Sequence, residues 1–210
     1  MKLNLLRNKK FWICATVIAA LAAAAAIVSI ILGRGAGALP ALSLEAPGEL
    51  SVSAGGEFTV PVTLSALPDN RYPAVSLSVT FDAGKLEFLG IDEGNMLVTA
   101  DEGESGAQLK LPEWGVNAAK ANKDGTVSVM YLDITGGRRA FCTEGFEPQT
   151  RNVLMRLRFR LRGSAAPGDI LALTVSDAVL ATVTNQKDGS SLATSSGTLN
   201  ARNGIIRVTP

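Results

Sequence analysis

The 210-residue chain has no histidine, two cysteines and an aromatic content of 5%. Each scarcity removes a class of chemistry. With no histidine, and with Cys14 inside an apolar run, a zinc site of the usual composition is excluded, and Cys14 has no plausible intramolecular disulfide with Cys142. Cys142 therefore reads as a lone thiol, either tolerated and partly buried or with an intermolecular or redox role. Few aromatics leave few platforms for stacking on sugar rings, and Trp114, Tyr72 and Tyr131 are the only Trp or Tyr residues after the N-terminal apolar run. A lone Trp in such a chain is expected in the core. Outside the first 34 residues no helical periodicity is long enough to assign, and no nucleophile, acid–base pair or cofactor motif stands out, so no catalytic residue, cofactor or metal ligand is assigned.

Acidic residues are absent before residue 35, while Lys2, Arg7, Lys9, Lys10 and Arg34 are all there. Removing these five cations from a formal net charge of +1 leaves the remainder at −4. A mildly acidic domain of this kind argues against a nucleic-acid partner, whose phosphates favour a basic face.

Residues 11–32 form a nearly unbroken apolar run with Thr16 and Ser29 as its polar members, spanning about 30 Å as a helix. The cations on its N-terminal side orient it with the N-terminus inside and the C-terminus outside. The reading is a cytoplasmic basic segment (1–10), a transmembrane signal anchor (11–32), a Gly/Ala/Pro linker (33–48) and an exported domain (49–210). Ala36-Gly37-Ala38 also fits a signal-peptide cleavage site, which would make the domain secreted; both readings export it.

Beyond the linker the chain alternates apolar and polar residues at period two. Phe58, Val60, Val62 and Leu64 share one face, as do Val75, Leu77, Val79 and Phe81. Val127, Val129 and Tyr131 form a third set, Val153, Met155, Leu157, Phe159 and Leu161 a fourth, and Leu171, Leu173 and Val175 a fifth, with Ile205, Ile206 and Val208 at the end. Pro61 cannot donate to a ladder, so its strand is expected at a sheet edge or with a bulge there. Turn signals at Asp82–Gly84, Asp124-Gly125, Gly136-Gly137, Ala166–Asp169, Asp188-Gly189 and Asn203-Gly204 separate the runs. The pattern predicts an all-β fold, an antiparallel two-sheet sandwich of about nine strands and of jelly-roll or immunoglobulin-like type, preceded by the N-terminal transmembrane helix.

The order of motifs resembles a cohesin, the scaffoldin module that grips dockerins of secreted enzymes. The pieces are Val52-Ser-Ala-Gly-Gly-Glu-Phe-Thr-Val-Pro-Val62, Ser76-Leu-Ser-Val-Thr-Phe-Asp82, Leu86-Glu-Phe-Leu-Gly-Ile91, Gly125-Thr-Val-Ser-Val-Met-Tyr131 with Gly136-Gly137, Ser164-Ala-Ala-Pro-Gly168, and Asn203-Gly-Ile-Ile-Arg-Val208. The resemblance implies a nine-stranded jelly roll whose dockerin-binding sheet uses residues 74–82, 108–114, 125–133 and 170–181. It implies partner contacts at Ser76, Ser78, Met130, Leu132, Asp133 and Gly136. The third strand departs from the best-known cohesin type, with Ala74 and Ser76 where that type has Asn and Asp. The partner implied is a dockerin-bearing secreted protein that carries its own calcium, among enzymes of extracellular polysaccharide degradation.

Alternation also settles the faces of the third set. If Val127, Val129 and Tyr131 point inward, Met130 and Leu132 point outward, unless a loop such as Phe141–Phe146 covers them. The ladder Arg156, Arg158, Arg160 and Arg162 lies on a solvent face, paired with cross-strand acids or open to an anionic partner. Asp92, Glu93, Asp101, Glu102 and Glu104 cluster in the loop from 90 to 106, without a calcium-loop spacing. Other functions stay open: an envelope structural or adhesive domain, a carbohydrate-binding module, or a jelly-roll glycosidase using carboxylates such as Glu87, Glu113 and Asp133.

Overall fold

The computed structural model describes residues 39–52, 56–103, 106–136, 138–182 and 191–210, with backbone only for 100–103 and 106–108. The basic segment, the apolar run 11–32 and the linker up to residue 38 lie outside these residues. Among the described residues no helix is long and apolar enough to cross a membrane.

Thirteen strands form among the described residues, not nine. The first sheet contains β1 (Ala41–Leu44), β3 (Glu57–Leu64), β5 (Leu86–Glu93), β9 (Asn152–Leu161) and β12 (Asn200–Arg202), in the order β12-β1-β3-β9-β5. The second contains β2 (Glu49–Ser51), β4 (Ala74–Thr80), β8 (Thr126–Leu132), β10 (Ile170–Ala181) and β13 (Gly204–Thr209), in the order β2-β13-β10-β4-β8, with β11 (Leu192–Ala193) added beside β10. A separate hairpin joins β6 (Val98–Gly103) to β7 (Gly106–Lys110). The surplus over nine comes from strands of two to four residues, too short to show a period.

The inward sets meet in one core. Val75, Leu77 and Val79 of β4 and Val127 and Val129 of β8 face Val60, Val62, Met155, Leu157 and Phe159 of the first sheet, all essentially fully buried. Each such side chain contributes about 1.5–3 kcal/mol by leaving water. Phe159 is the centre of an aromatic cluster, stacked on Phe58 at 5.9 Å and edge-on to Phe81 at 5.3 Å and Phe88 at 5.4 Å.

Two sequence expectations are corrected, and a third, for Pro61, is met by its bulge rather than by an edge position. The sandwich starts before residue 49: β1 lies in the stretch read as linker, and Leu42 is wholly buried between β12 and β3. The sheets are not purely antiparallel, because β1 pairs parallel with β12 and β2 pairs parallel with β13. The segments β1–β2 and β12–β13 thus cross together from one sheet to the other. Gly204 stands at that corner, where an added Cβ would lie 2.8 Å from the Ala46 Cβ. Pro61 is on an interior strand; the predicted bulge is next to it, between Val62 and Thr63, and its carbonyl accepts from the Glu45 N–H at 2.9 Å.

A helix is present where none was expected. α1 (Ala118–Asp124) begins at Asn117, whose side chain accepts from the Lys120 N–H, and ends at Gly125 in the left-handed conformation, φ 65°. Capping residues and three alanines suffice for a helix that packing holds in place. Its position explains its use. The Asn122 amide accepts from the Phe88 N–H at 2.8 Å and donates to the Phe88 carbonyl at 2.7 Å, occupying the free edge of β5. Just upstream, Gly115 exchanges two backbone bonds with Met130 on the free edge of β8. One segment therefore covers an edge of each sheet. Asn122→Ala is expected to destabilise the fold by about 2 kcal/mol by leaving both Phe88 groups unpaired. A urea midpoint unchanged from the parent would refute this role.

Candidate partner-binding face

The second sheet turns the outer side chains of β8, β4 and β10 to solvent. Register aligns Met130, Ser76 and Val179 on one line across the sheet, Leu132, Ala74 and Ala181 on the next, and Ser128, Ser78 and Asp177 on a third. Met130 and Leu132 are each 58% exposed. The loop containing Phe141 and Phe146 does not cover them: both phenylalanines are buried, and Phe141 packs with Trp114 and Tyr131 on the inner side. Trp114 is half-buried in that cluster, while Tyr72 and Tyr131 are buried. Burial, with the neighbouring Asp133 charge, pushes the Tyr131 phenol up to about 12. Its hydroxyl donates to the Arg139 carbonyl at 2.7 Å.

Ser76, Ser78, Met130 and Leu132 are thus brought together on one face. Asp133 and Gly136 lie beyond it, in the loop after β8. The Asp133 carboxylate accepts from the Thr135 N–H at 2.7 Å, the Thr135 hydroxyl at 2.5 Å and the Arg139 N–H at 3.0 Å, so it organises its own loop. Gly136 is exposed with φ 78°, a left-handed position that glycine adopts without strain. Residues 108–114, expected as a strand of this sheet, are not one: β7 pairs with β6, and it is Gly115 that reaches β8.

Sequence reasoning missed two contributors. Ile134, 89% exposed, extends the outward line of Met130 and Leu132, and its i+2 spacing was there to be read. Val179 was hidden by a bulge between Val175 and Asp177, which shifts the phase of β10. Past Leu132 the face runs into a pocket of about 240 Å³ lined by Lys110, Glu113, Tyr131, Asp133, Ile134 and Arg139, among others.

The arginine ladder belongs to the other sheet, where Arg158 and Arg160 meet acids and Arg156 and Arg162 meet backbone carbonyls. Arg158 lies 3.3 Å from Asp92, and Arg160 lies 2.6 Å from Glu57 and 3.6 Å from Glu87. Arg162 donates to the Leu86 carbonyl at 3.1 Å and Arg156 to the Glu93 carbonyl. Such exposed pairs contribute about 0–1 kcal/mol each. Two of the carboxylates considered for catalysis or calcium, Glu87 and Asp92, are therefore engaged here, on the sheet opposite Glu113 and Asp133. Side chains of Asp101, Glu102 and Glu104 fall outside the described residues.

Cys142 is more buried than expected, at 3% exposure. Burial, then a hydrogen bond with Glu144, raises its thiol from 9.0 to about 11. Because the folded value lies above the unfolded one, this contribution to stability is complete below about pH 9 and is lost as the pH rises toward about 11. In a Cys14→Ser background, iodoacetamide at about pH 8 is expected to label Cys142 only after denaturant is added. Rapid labelling of the native protein would contradict the buried position.

The family model described as Cohesin domain matches residues 46–201. Solved structures agree on the fold. The third cohesin ScaC of Acetivibrio cellulolyticus, solved in complex with the ScaB dockerin, is 17% identical, with TM-score 0.55 and coverage of 82% of this chain and 100% of that one. The sixth cohesin of scaffoldin B from the same organism, also in complex with a dockerin, is 23% identical, with TM-score 0.54 and coverage of 80% and 98%. The OlpA cohesin of Clostridium thermocellum, again a cohesin–dockerin complex, is 16% identical, with TM-score 0.52 and coverage of 81% and 99%. No curated protein matches the chain. With three quarters of its length matched by that model, and with the two-sheet architecture seen in the solved cohesins, the chain belongs to the cohesin domain family, a family of protein-binding modules.

Proposed function

We propose that the chain is a cell-surface cohesin, held in the membrane by residues 11–32, which captures dockerin-bearing proteins on the outer face of β8, β4 and β10. The observation that carries this reading is the pair Met130 and Leu132, standing exposed on a sheet face whose other outward side chains are short apart from Val179 and neutral apart from Asp177. Large apolar side chains held open on rigid strands are what a protein partner covers. Ser76 and Ser78 supply hydrogen-bonding groups beside them, and Asp133 and Gly136 shape the loop at the rim. A glycan ligand is less well served, because Tyr72 and Tyr131 are buried and Trp114 is packed against Phe141.

The partners would be enzymes of extracellular polysaccharide degradation, and the calcium needed for folding would belong to the dockerin. An N-in, C-out topology would place the face outside the cell. The test is capture by the full chain, in mild detergent, from the secreted proteins of the source organism, with calcium and again with a chelator. Retention of a dockerin-bearing enzyme in calcium alone supports the reading. If no dockerin-bearing protein is retained in either buffer, the reading is wrong and an adhesive or structural envelope role takes its place.

A further inference from the structure

Two large apolar side chains that the proposed function does not use stand exposed at the other end of the second sheet: Ile170 on β10, 64% exposed, and Ile205 on β13, 62% exposed. Their neighbours Leu171, Leu173, Ile206 and Val208 are buried, so alternation fixes both isoleucines on the outer side. Register pairs Ile205 with Ala172 and Ile170 with Arg207, and sets Glu49 of β2 beside Arg207. This half of β10 pairs with β13 rather than with β4, and Ala172 is seven residues from Val179, about 23 Å along the strand. The patch is therefore separate from Met130 and Leu132.

Charge and shape constrain what covers it. A lipid surface calls for a cationic fringe, whereas the cations here are offset: Arg207 stands beside Glu49, and Lys85 lies 2.9 Å from Asp169 at the start of β10. The same balance suits a second copy of the chain, because two identical surfaces of one sign would repel each other and these do not. The shape is self-complementary as well. Each cross-strand line sets a tall apolar group beside a short or slender one, Ile205 beside Ala172 and Ile170 beside the aliphatic stem of Arg207. A twofold axis parallel to the strands and midway between β10 and β13 lays each copy's Ile205 on the other copy's Ala172, and each Ile170 on the other's Arg207 stem.

We propose that the chain pairs with a second copy of itself through Ile170, Ala172, Ile205 and Arg207, as a weak isologous dimer that leaves Met130 and Leu132 free. The weakness follows from size, since three apolar side chains and one arginine stem fall short of the about 800 Å² per partner that a stable interface buries. Copies anchored in one membrane, as proposed above, meet at high local concentration, where a contact of this strength suffices. Each dimer then carries two capture faces.

The experiment is sedimentation equilibrium of the full chain, in a detergent matched in density to the solvent, at about 5 to about 500 µM protein. The parent is expected to dimerise with a Kd between about 10 and about 500 µM. Ile205→Arg is expected to weaken dimerisation by at least about tenfold at an unchanged melting temperature, because the replaced side chain is exposed. If Ile205→Arg lowers the melting temperature, Ala172→Lys puts a charge into the same seat from the neighbouring strand. A parent that stays monomeric up to about 500 µM overturns the proposal. So does a dimer that a folded variant retains within about threefold, which would place the self-association elsewhere in the chain. Loss of dockerin capture by Ile205→Arg also overturns it, since the patch would then belong to that partner.

Discussion

Met130→Asp is expected to weaken retention of a dockerin-bearing partner by at least about 100-fold, equivalent to about 3 kcal/mol, while the melting temperature stays within a few degrees of the parent. The two halves of this result have separate causes. Folding is spared because the Met130 side chain is 58% exposed, and what fixes its backbone is the pairing with Ser76 on one side and Gly115 on the other. Neither depends on the side chain. Binding is lost because the new carboxylate would be sealed between a partner and a neutral sheet surface. Asp177 is the charged outward residue of that surface, and it has the same sign. An unpaired charge stripped of water costs several kcal/mol, well above what one thioether contact supplies. Calorimetric titration beside a thermal melt distinguishes the two. Binding within about threefold of the parent would move the partner surface elsewhere on the molecule.

Gly94→Ala is expected to have the opposite signature, with stability lost first. Gly94 follows β5, where the chain turns against the start of β9. A Cβ built there would lie 2.0 Å from the Val153 carbonyl oxygen and 2.5 Å from that of Leu154. Both are backbone atoms of a strand held on both sides, so no side-chain rotation relieves the clash. The same Val153 oxygen accepts from the Asn95 N–H at 2.8 Å and the Met96 N–H at 3.1 Å, and the Val153 N–H donates to the Asn95 side chain at 2.6 Å. Moving the turn away breaks these bonds and withdraws Met96, which is fully buried. Together these losses amount to at least about 3 kcal/mol, a large part of a small domain's stability. Urea denaturation reads it as a lowered midpoint or as failure to accumulate folded protein. A midpoint equal to the parent's would mean that the turn adopts another path.

The long strands were legible because their side chains alternate without interruption. Met155 to Leu161 on β9 and Val75 to Val79 on β4 need no information beyond their own letters, since one face must leave water and the other must not. The outward aim of Met130 and Leu132 followed from the same rule. What escaped was set by contacts distant in sequence. β1 is too short to show a period, and its place is decided by β12, near the other end of the chain. The bulge in β10 reverses which residues face outward after Val175, so Val179 gave no sign of belonging to the exposed surface. α1 is likewise too short, and its Asn117 and Gly125 caps read equally well as a turn. Family likeness puts residues 108–114 in the binding sheet, whereas the segment after β7 meets β8 at Gly115. The residues proposed for partner contact divide on the same line. Ser76, Ser78, Met130 and Leu132 followed from alternation and share a face; Asp133 and Gly136 came from motif position, and they sit in a loop whose hydrogen bonds no pattern reveals.

On β4 and β8, every second letter belongs to the core and the letters between belong to the face. Val75, Leu77, Val79, Val127, Val129 and Tyr131 can stay fixed while Ala74, Ser76, Ser78, Met130 and Leu132 are rewritten, because successive side chains of a strand point to opposite faces of the sheet. Partner choice can then drift through evolution without crossing a folding threshold. The same independence offers a route to orthogonal pairs: a library confined to those outward positions would search recognition on one unchanged scaffold.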